Sequence, residues 1–285
     1  MDLPEDTSLP LFAYGLFKPR QLGYHRIKRK VRNTTSATVS GELLERDGLP
    51  ILNGEGHDQV SGFLIAFEKD EAESAYNEIA KLEPQKQYSW ETKSISLSEE
   101  DRVANILLGN DVCKGTTHFK PDKWDGQNDL LFNDALDVVK EVIDSGPEFN
   151  EKDMKPFFRL QMAHLLLWTS IERYVSLRYG LRGPHGKIST TKKVHKIAEE
   201  DGFREGLSSI DRSESKIYRA DKPKGKEKLD PSDPQSSIKY YYQIRNNLSH
   251  RGKTAVVDFE KLQKSLRELY NIFRVVLRCA FENAY

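Results

Sequence analysis

One short segment gathers groups that can grip a phosphate and move a proton: Tyr240-Tyr241-Tyr242-Gln243-Ile244-Arg245-Asn246-Asn247-Leu248-Ser249-His250-Arg251-Gly252. Ile244 and Leu248 stand four apart, which gives a helix an apolar anchor on one face. Asn246 and His250 have the same spacing and share another face, and Gly252 falls where a helix would stop. An imidazole titrates near neutral pH, and a guanidinium presents a planar fork of N–H donors that fits phosphate. With an amide beside them they suit a phosphodiester, Arg245 on the phosphate and His250 on the proton. A surface helix end made of ordinary polar residues has the same composition, so the elements around the segment must decide between the two.

A second stretch with chemical promise lies near the start. Leu9-Pro10-Leu11-Phe12-Ala13-Tyr14 reads as a buried strand, and Gly15-Leu16-Phe17-Lys18-Pro19-Arg20 as the turn after it. Gly15 permits close backbone approach, and free N–H groups there would hold an anionic or carbonyl oxygen. An ordinary turn after a core strand is the competing reading. Strand character follows at 37–44 and 59–67, with Gly62 as a possible bulge and Asp47-Gly48-Leu49-Pro50 as a turn. Residues 70–82 switch to a helical period through Ala72, Ala75, Tyr76, Ile79 and Leu82, with Asp70 as N-cap. Residues 87–97 and 102–108 return to strand. Short mixed strands around one inserted helix predict a small α+β, barrel-like domain.

The chain's 285 residues are comfortable for two domains. Hydrophobic residues make up 37% and charged residues 31%, polar but with enough periodic apolar segments to fold. The formal net charge is zero, so no global field draws in nucleic acid and any such contact needs a local patch. Cys113 and Cys279 are far apart and form neither a metal-ligand spacing nor a disulfide framework. No metal or cofactor is expected, and a reducing cytoplasm is the expected setting. The acidic, polar start lacks the basic and apolar runs of a signal peptide, and no run of about twenty apolar residues would span a membrane.

Residues 113–151 read as a linker carrying Trp124 as an anchor and an amphipathic helix at 130–143, whose apolar face holds Leu131, Ala135, Val138, Val139 and Val142. Asp144-Ser145-Gly146-Pro147 stops that helix. From 152 onward the reading is all-helical. A long helix at 157–178 contains Glu172, which a surface position would place in solvent and an inward position would aim at Arg245 and His250. Gly180-Leu181-Arg182-Gly183-Pro184-His185-Gly186 lacks P-loop spacing and reads as a connector. A shorter helix is expected at 190–202 and a mobile polar loop at 211–237, where the run of Lys222, Lys224, Lys226 and Lys228 also has the charge to track a phosphate backbone. Asp258 is expected to cap a last helix ending near Glu282.

Phe12-Ala13-Tyr14-Gly15-Leu16-Phe17, then Val60-Ser61-Gly62-Phe63-Leu64, then Leu82-Glu83 followed by Tyr88, resemble the gamma-glutamylcyclotransferase family and its AIG2-like relatives over about the first 112 residues. The resemblance implies that Tyr14, Gly15, Leu16, Phe17 and Tyr88 bind a small gamma-glutamyl-like ligand. It also implies a catalytic glutamate, which falls on Lys86 or Pro84 depending on the anchor residue and on Glu83 with a shift of about one. Arg245, Asn246 and His250 before a final amphipathic helix resemble the HEPN superfamily motif over 152–285. That resemblance implies a metal-independent ribonuclease active as a homodimer through its helical domain, with Tyr241 among tyrosines that stack RNA bases. The expected architecture is therefore α+β: a cyclotransferase-like barrel at 1–112, a linker at 113–151 and an all-α bundle at 152–285. Its expected function is RNA cleavage coupled to small-ligand sensing, a combination that suits toxin or antiviral-defence roles; the alternative is a cyclotransferase with a non-catalytic helical tail.

Overall fold

A computed structural model of the chain describes residues 1–46, 48–83, 87–110, 117–118, 123–126, 129–148, 152–180, 190–211, 215–219, 222–251 and 259–282. The architecture is mixed α+β, with a closed five-stranded barrel in the N-terminal half and helices in the C-terminal half. One compact unit comprises Met1–Asp129 with Leu177–Ile188 and Phe281–Tyr285, and the other comprises Leu130–Ser176 and Ser189–Ala280. Trp124 thus belongs with the barrel, and the helix after it with the helical unit.

The barrel is built from β1 (Leu11–Ala13), β2 (Val31–Arg46), β3 (Leu49–Phe67), β4 (Tyr88–Ser96) and β5 (Asp101–Gly109), in the order β3-β1-β5-β4-β2, and closes because β2 also pairs with β3. Closure leaves no open edge among these five, and a short β6 (Thr117–His118) adds to the end of β2. Side chains alternate as the pleat requires. Phe12, Tyr14, Val39, Leu52, Val60, Leu64, Ile95, Ile106 and Leu108 come from all five strands and fill one core with Trp124. Leu11, Ala13, Ile65 and Phe67 point the other way, onto Ala75, Tyr76 and Ile79 of α1 (Ala72–Leu82). The residue before α1 is Glu71, not Asp70, and it makes no side-chain cap.

Gly62 pairs with Ala37 without a break. The ladder shifts register instead between Val31↔Phe67 and Asn33↔Ala66, where Arg32 is the extra residue, and between Gly41↔Asp58 and Glu42↔Asn53, where β3 has four more residues than β2. Gly62 is needed for another reason: a Cβ on it would stand 2.6 Å from the Ala13 carbonyl oxygen and from Phe12 Cζ. The backbone oxygen cannot rotate away. Gly62→Ala is expected to destabilise the protein by about 1–3 kcal/mol, read as a lower urea midpoint at unchanged slope.

The helical unit holds α2 (Leu130–Asp144), α3 (Lys155–Tyr179), α4 (Thr190–Lys196), α5 (Asp201–Ser208), α6 (Pro234–Arg251) and α7 (Phe259–Glu282). Helix α7 buries Leu262, Leu266, Leu269, Ile272, Phe273 and Val276. Gly202 and Gly206 let α5 approach it closely: a Cβ on Gly206 would lie 2.8 Å from Ile272 Cα. The face that α2 buries is Phe132, Leu136 and Val139, leaving Val138 exposed, one position off the sequence reading. The 190–202 stretch is not one helix but α4, a 3-10 turn and the start of α5. The C-terminal half is also not all-α. Where a mobile loop is expected, β7 (Ser215–Arg219) and β8 (Lys222–Leu229) form an antiparallel hairpin that buries Ile217 and Leu229. Asp233 then accepts a bond from Ser236 N–H at 3.1 Å, and Pro234 takes the first helical position of α6. Asp47, Pro84, Lys86, the connector at 181–186, Gly252 and Asp258 lie outside the described residues.

Candidate functional site

In the barrel unit, the end of β1 delivers Tyr14 and Gly15 to a turn closed by Lys18 N–H on the Gly15 carbonyl at 3.0 Å and by Gly23 N–H on the Leu16 carbonyl at 3.0 Å. The N–H groups of Gly15, Leu16 and Phe17 donate to nothing among the described residues. Three consecutive unspent donors can receive an anionic or strongly polarised oxygen. The turn is held against the start of β3, since a Cβ on Gly15 would lie 2.7 Å from Pro50 Cγ. The Pro50 carbonyl in turn accepts the Tyr88 hydroxyl at 3.4 Å from the start of β4. Tyr14 is buried and its hydroxyl donates to the Leu107 carbonyl at 2.8 Å, so Tyr14 is a wall of the site with its proton engaged. Phe17 is buried in the core that also contains Tyr88, and Leu16 is half-buried beside it.

Glu83 follows the last turn of α1 in extended conformation. The residue is half-buried, and burial pushes the pKa of its carboxyl group up to about 7. No hydrogen bond or ion pair to a described residue holds it in the charged form. Its charge reaches both tyrosines. Burial first and then Glu83 raise the Tyr88 phenol, and Glu83 also contributes to the rise at Tyr14 after burial and Tyr88. At the end of β2, Arg46 acts on Tyr88 in the opposite direction, and its Nη2 is buried without a partner among the described residues. Tyr14 and Tyr88 thus link a carboxyl raised to about 7, the N–H donors that follow Tyr14 in the chain, and a guanidinium edge with no partner among the described residues. Arg46 is absent from any sequence motif. The one sequence signal for it is its place at a hairpin end beside Gly48, whose φ is +74°.

In the helical unit, α6 carries Arg245 and Asn246, and α3 brings Glu172 to meet them. Arg245 Nη2 lies 2.9 Å from Glu172 Oε1, within ion-pair distance though not aligned as a hydrogen bond. Arg245 Nη1 donates to Asn246 Oδ1 at 3.4 Å, and the guanidinium sits 5.8 Å from the Tyr242 ring centroid. Glu172 therefore faces the site rather than open solvent. Tyr242 is braced edge-on by Trp168 at 5.4 Å and by His195 at 6.2 Å. His164, Trp168 and Glu172 succeed one another at four-residue spacing along α3, and each has a buried polar atom with no hydrogen-bond partner among the described residues. Burial lowers the His164 pKa to about 3, so that ring is neutral. His250 lies in the last turn of α6, one turn beyond Asn246; its side chain is outside the described residues.

The expected role of Tyr241 in substrate binding needs correction. Tyr241 is wholly buried and its hydroxyl donates to Glu268 at 3.0 Å. Tyr240 is equally buried, between Ser215 and Ser265. Consecutive helical residues fan out by about 100° each, so three tyrosines in a row cannot share one exposed face. Sequence reasoning left His195 and the β7–β8 hairpin out of the site. Among the described residues no helix is long and apolar enough to cross a membrane, and no three His, Cys, Asp or Glu side chains group as a metal site. No protein-family model, curated protein or solved structure matches the chain.

Proposed function

We propose that the helical half is a HEPN-type endoribonuclease that cleaves RNA without a metal, and that the barrel half recognises a small gamma-glutamyl-like ligand that controls it. The observation that carries the first part is Arg245, fixed by Glu172 and Asn246 in the helix that ends just beyond His250. In this reading the ribose 2′-oxygen attacks the adjacent phosphorus as His250 takes its proton. The P–O5′ bond breaks and the 5′-oxygen leaves with the proton that His250 returns to it, giving a 2′,3′-cyclic phosphate. Arg245 stabilises the charge that builds on the phosphoryl oxygens. Two copies would pair their Arg245–His250 segments across one cleft. The exposed Phe158 and Met162, one turn apart on α3 and 51% and 70% accessible, supply apolar surface for a second copy. Purified protein is expected to cleave single-stranded RNA in excess chelator, and His250→Ala to abolish this. Intact RNA across varied substrates, with gamma-glutamyl compounds present, would sink the reading.

A second reading is favoured by one observation, the Glu83 carboxyl raised by burial to about 7 and acting on Tyr14, the residue that leads into the Gly15–Phe17 donors. Such a site would let Glu83 take a proton from a ligand's α-amine as that amine attacks its own γ-carbonyl, with the donors on the carbonyl oxygen. The barrel would then be a gamma-glutamyl cyclotransferase, and 5-oxoproline release from gamma-glutamyl compounds is the measurement that decides it.

A further inference from the structure

The β7–β8 hairpin has an unusual outer face. Burial of Ile217 and Leu229 fixes which side points inward. The register then sets Tyr218 across from Lys226 and Lys216 across from Lys228 on the other side, while Glu227, the one acid in the two strands, stands opposite Ile217. Like charges directly opposite each other on a sheet face repel, and among the described residues Asp230 lies 3.3 Å from Lys228 as its counter-charge. Tyr218 is 54% exposed, with the Lys226 ammonium 5.2 Å from its ring centroid.

Two bonds set the hairpin's direction. The Ser215 and Tyr240 hydroxyls meet at 3.1 Å, and Asn247 Nδ2 donates to the Tyr218 carbonyl at 2.8 Å. From Tyr240 to Asn247 is about 10 Å of helix, and from Ser215 to Tyr218 about 10 Å of strand. β7 therefore runs alongside α6, with its Tyr218–Arg219 end towards the C-terminal end of α6, where Arg245 and His250 lie.

We propose that the outer face of the β7–β8 hairpin, with Tyr218 as stacking platform and Lys216, Lys226 and Lys228 as phosphate contacts, is the binding track for single-stranded RNA entering the Arg245–His250 site. The inference rests on the ribonuclease reading for its destination, but not for its chemistry. Lysines along a strand follow a phosphate backbone, and an exposed ring stacks an unpaired base, which a duplex does not offer. A lone aromatic without apolar neighbours gives a lipid surface little to hold.

The test uses the full chain carrying His250→Ala, so that bound RNA stays intact, and a fluorescein-labelled mixed-sequence single-stranded RNA read by anisotropy. Tyr218→Ala is expected to weaken binding about tenfold, and Tyr218→Phe to bind like the parent. Lys216→Glu with Lys226→Glu is expected to weaken it at least about tenfold and to flatten the salt dependence by roughly one log unit per log unit of salt. Unchanged affinity in these variants, equal affinity for duplex RNA, or preference for phosphatidylserine vesicles would overturn the proposal. Hairpin-dependent binding without cleavage by the native chain would sink the ribonuclease reading alone. Cleavage at undiminished kcat/KM in the hairpin variants would sink the hairpin alone.

Discussion

Arg245→Ala is expected to lower RNA cleavage by about a hundredfold or more, the usual cost of removing one donor aimed at developing charge, with most of the loss in kcat. The guanidinium is already positioned in the free protein. Glu172 holds one edge at 2.9 Å, Asn246 accepts from another nitrogen, and the Tyr242 ring lies beneath. A group held in place before substrate arrives costs little reorganisation at the transition state. Arg245→Lys keeps the charge but loses the fork that lets one edge pair with Glu172 while another faces phosphate, so it is expected to recover only part of the rate. Glu172 is a positioning residue in this scheme. Glu172→Gln should lower kcat less than Arg245→Ala and leave the shape of the pH profile unchanged. The Arg245–Glu172 pair is partly solvated, with side chains 22% and 28% exposed, so losing it should cost only about 1 kcal/mol of stability. A stable, dimeric Arg245→Ala protein that cleaves RNA at the native rate would remove Arg245 from the chemistry.

What the sequence makes legible here is what depends on neighbours along the chain. The Leu-Phe-Ala run ending at Tyr14-Gly15, the helical period from Ala72 to Leu82 and the stop at Gly146 are local signals, and each marks an element boundary. Closure of the barrel is less local, since β2 must meet both β3 and β4, yet short alternating strands around one helix are enough to suggest it. The hairpin is hidden because its strand pattern is carried by two apolar residues, Ile217 and Leu229, inside a run of Lys, Asp, Ser and Pro that reads as loop. Arg46 is hidden for a different reason, and Glu172 is left open between solvent and the site for the same one. A charged residue in a strand or helix usually faces water, and only the tertiary arrangement shows that Arg46 Nη2 is enclosed and that Glu172 meets Arg245. The tyrosine run misleads because composition cannot show the serine and glutamate partners that draw two of its hydroxyls inward.

Glu83→Gln is expected to change stability and chemistry in opposite directions, and pH separates the two. In the unfolded chain this carboxyl has its ordinary value of 4.5, and in the folded chain burial raises it to about 7. Below pH 4.5 both states are protonated and the group costs nothing. Between 4.5 and 7 the folded chain retains a proton that the unfolded chain has lost. The stability that protonated Glu83 contributes is therefore lost as pH rises through about 7, up to roughly 3 kcal/mol in all. Glutamine has nearly the same shape and no charge to desolvate. The variant should match the native protein near pH 4.5 and exceed it by up to about 3 kcal/mol at pH 8, measured by urea unfolding at each pH. Parallel pH profiles for the two proteins would show that the carboxyl is not enclosed. Chemistry runs the other way, because a base must be ionised: any 5-oxoproline release should climb with pH through about 7 and vanish in Glu83→Gln. A chain that partly buries a carboxyl with no partner among the described residues gives up stability at neutral pH, a loss that proteins accept at functional sites. The stability arm reads burial alone and the product arm reads catalysis alone. A positive first result with a negative second would leave Glu83 as part of a ligand-recognition pocket, which is the barrel's role in the ribonuclease reading.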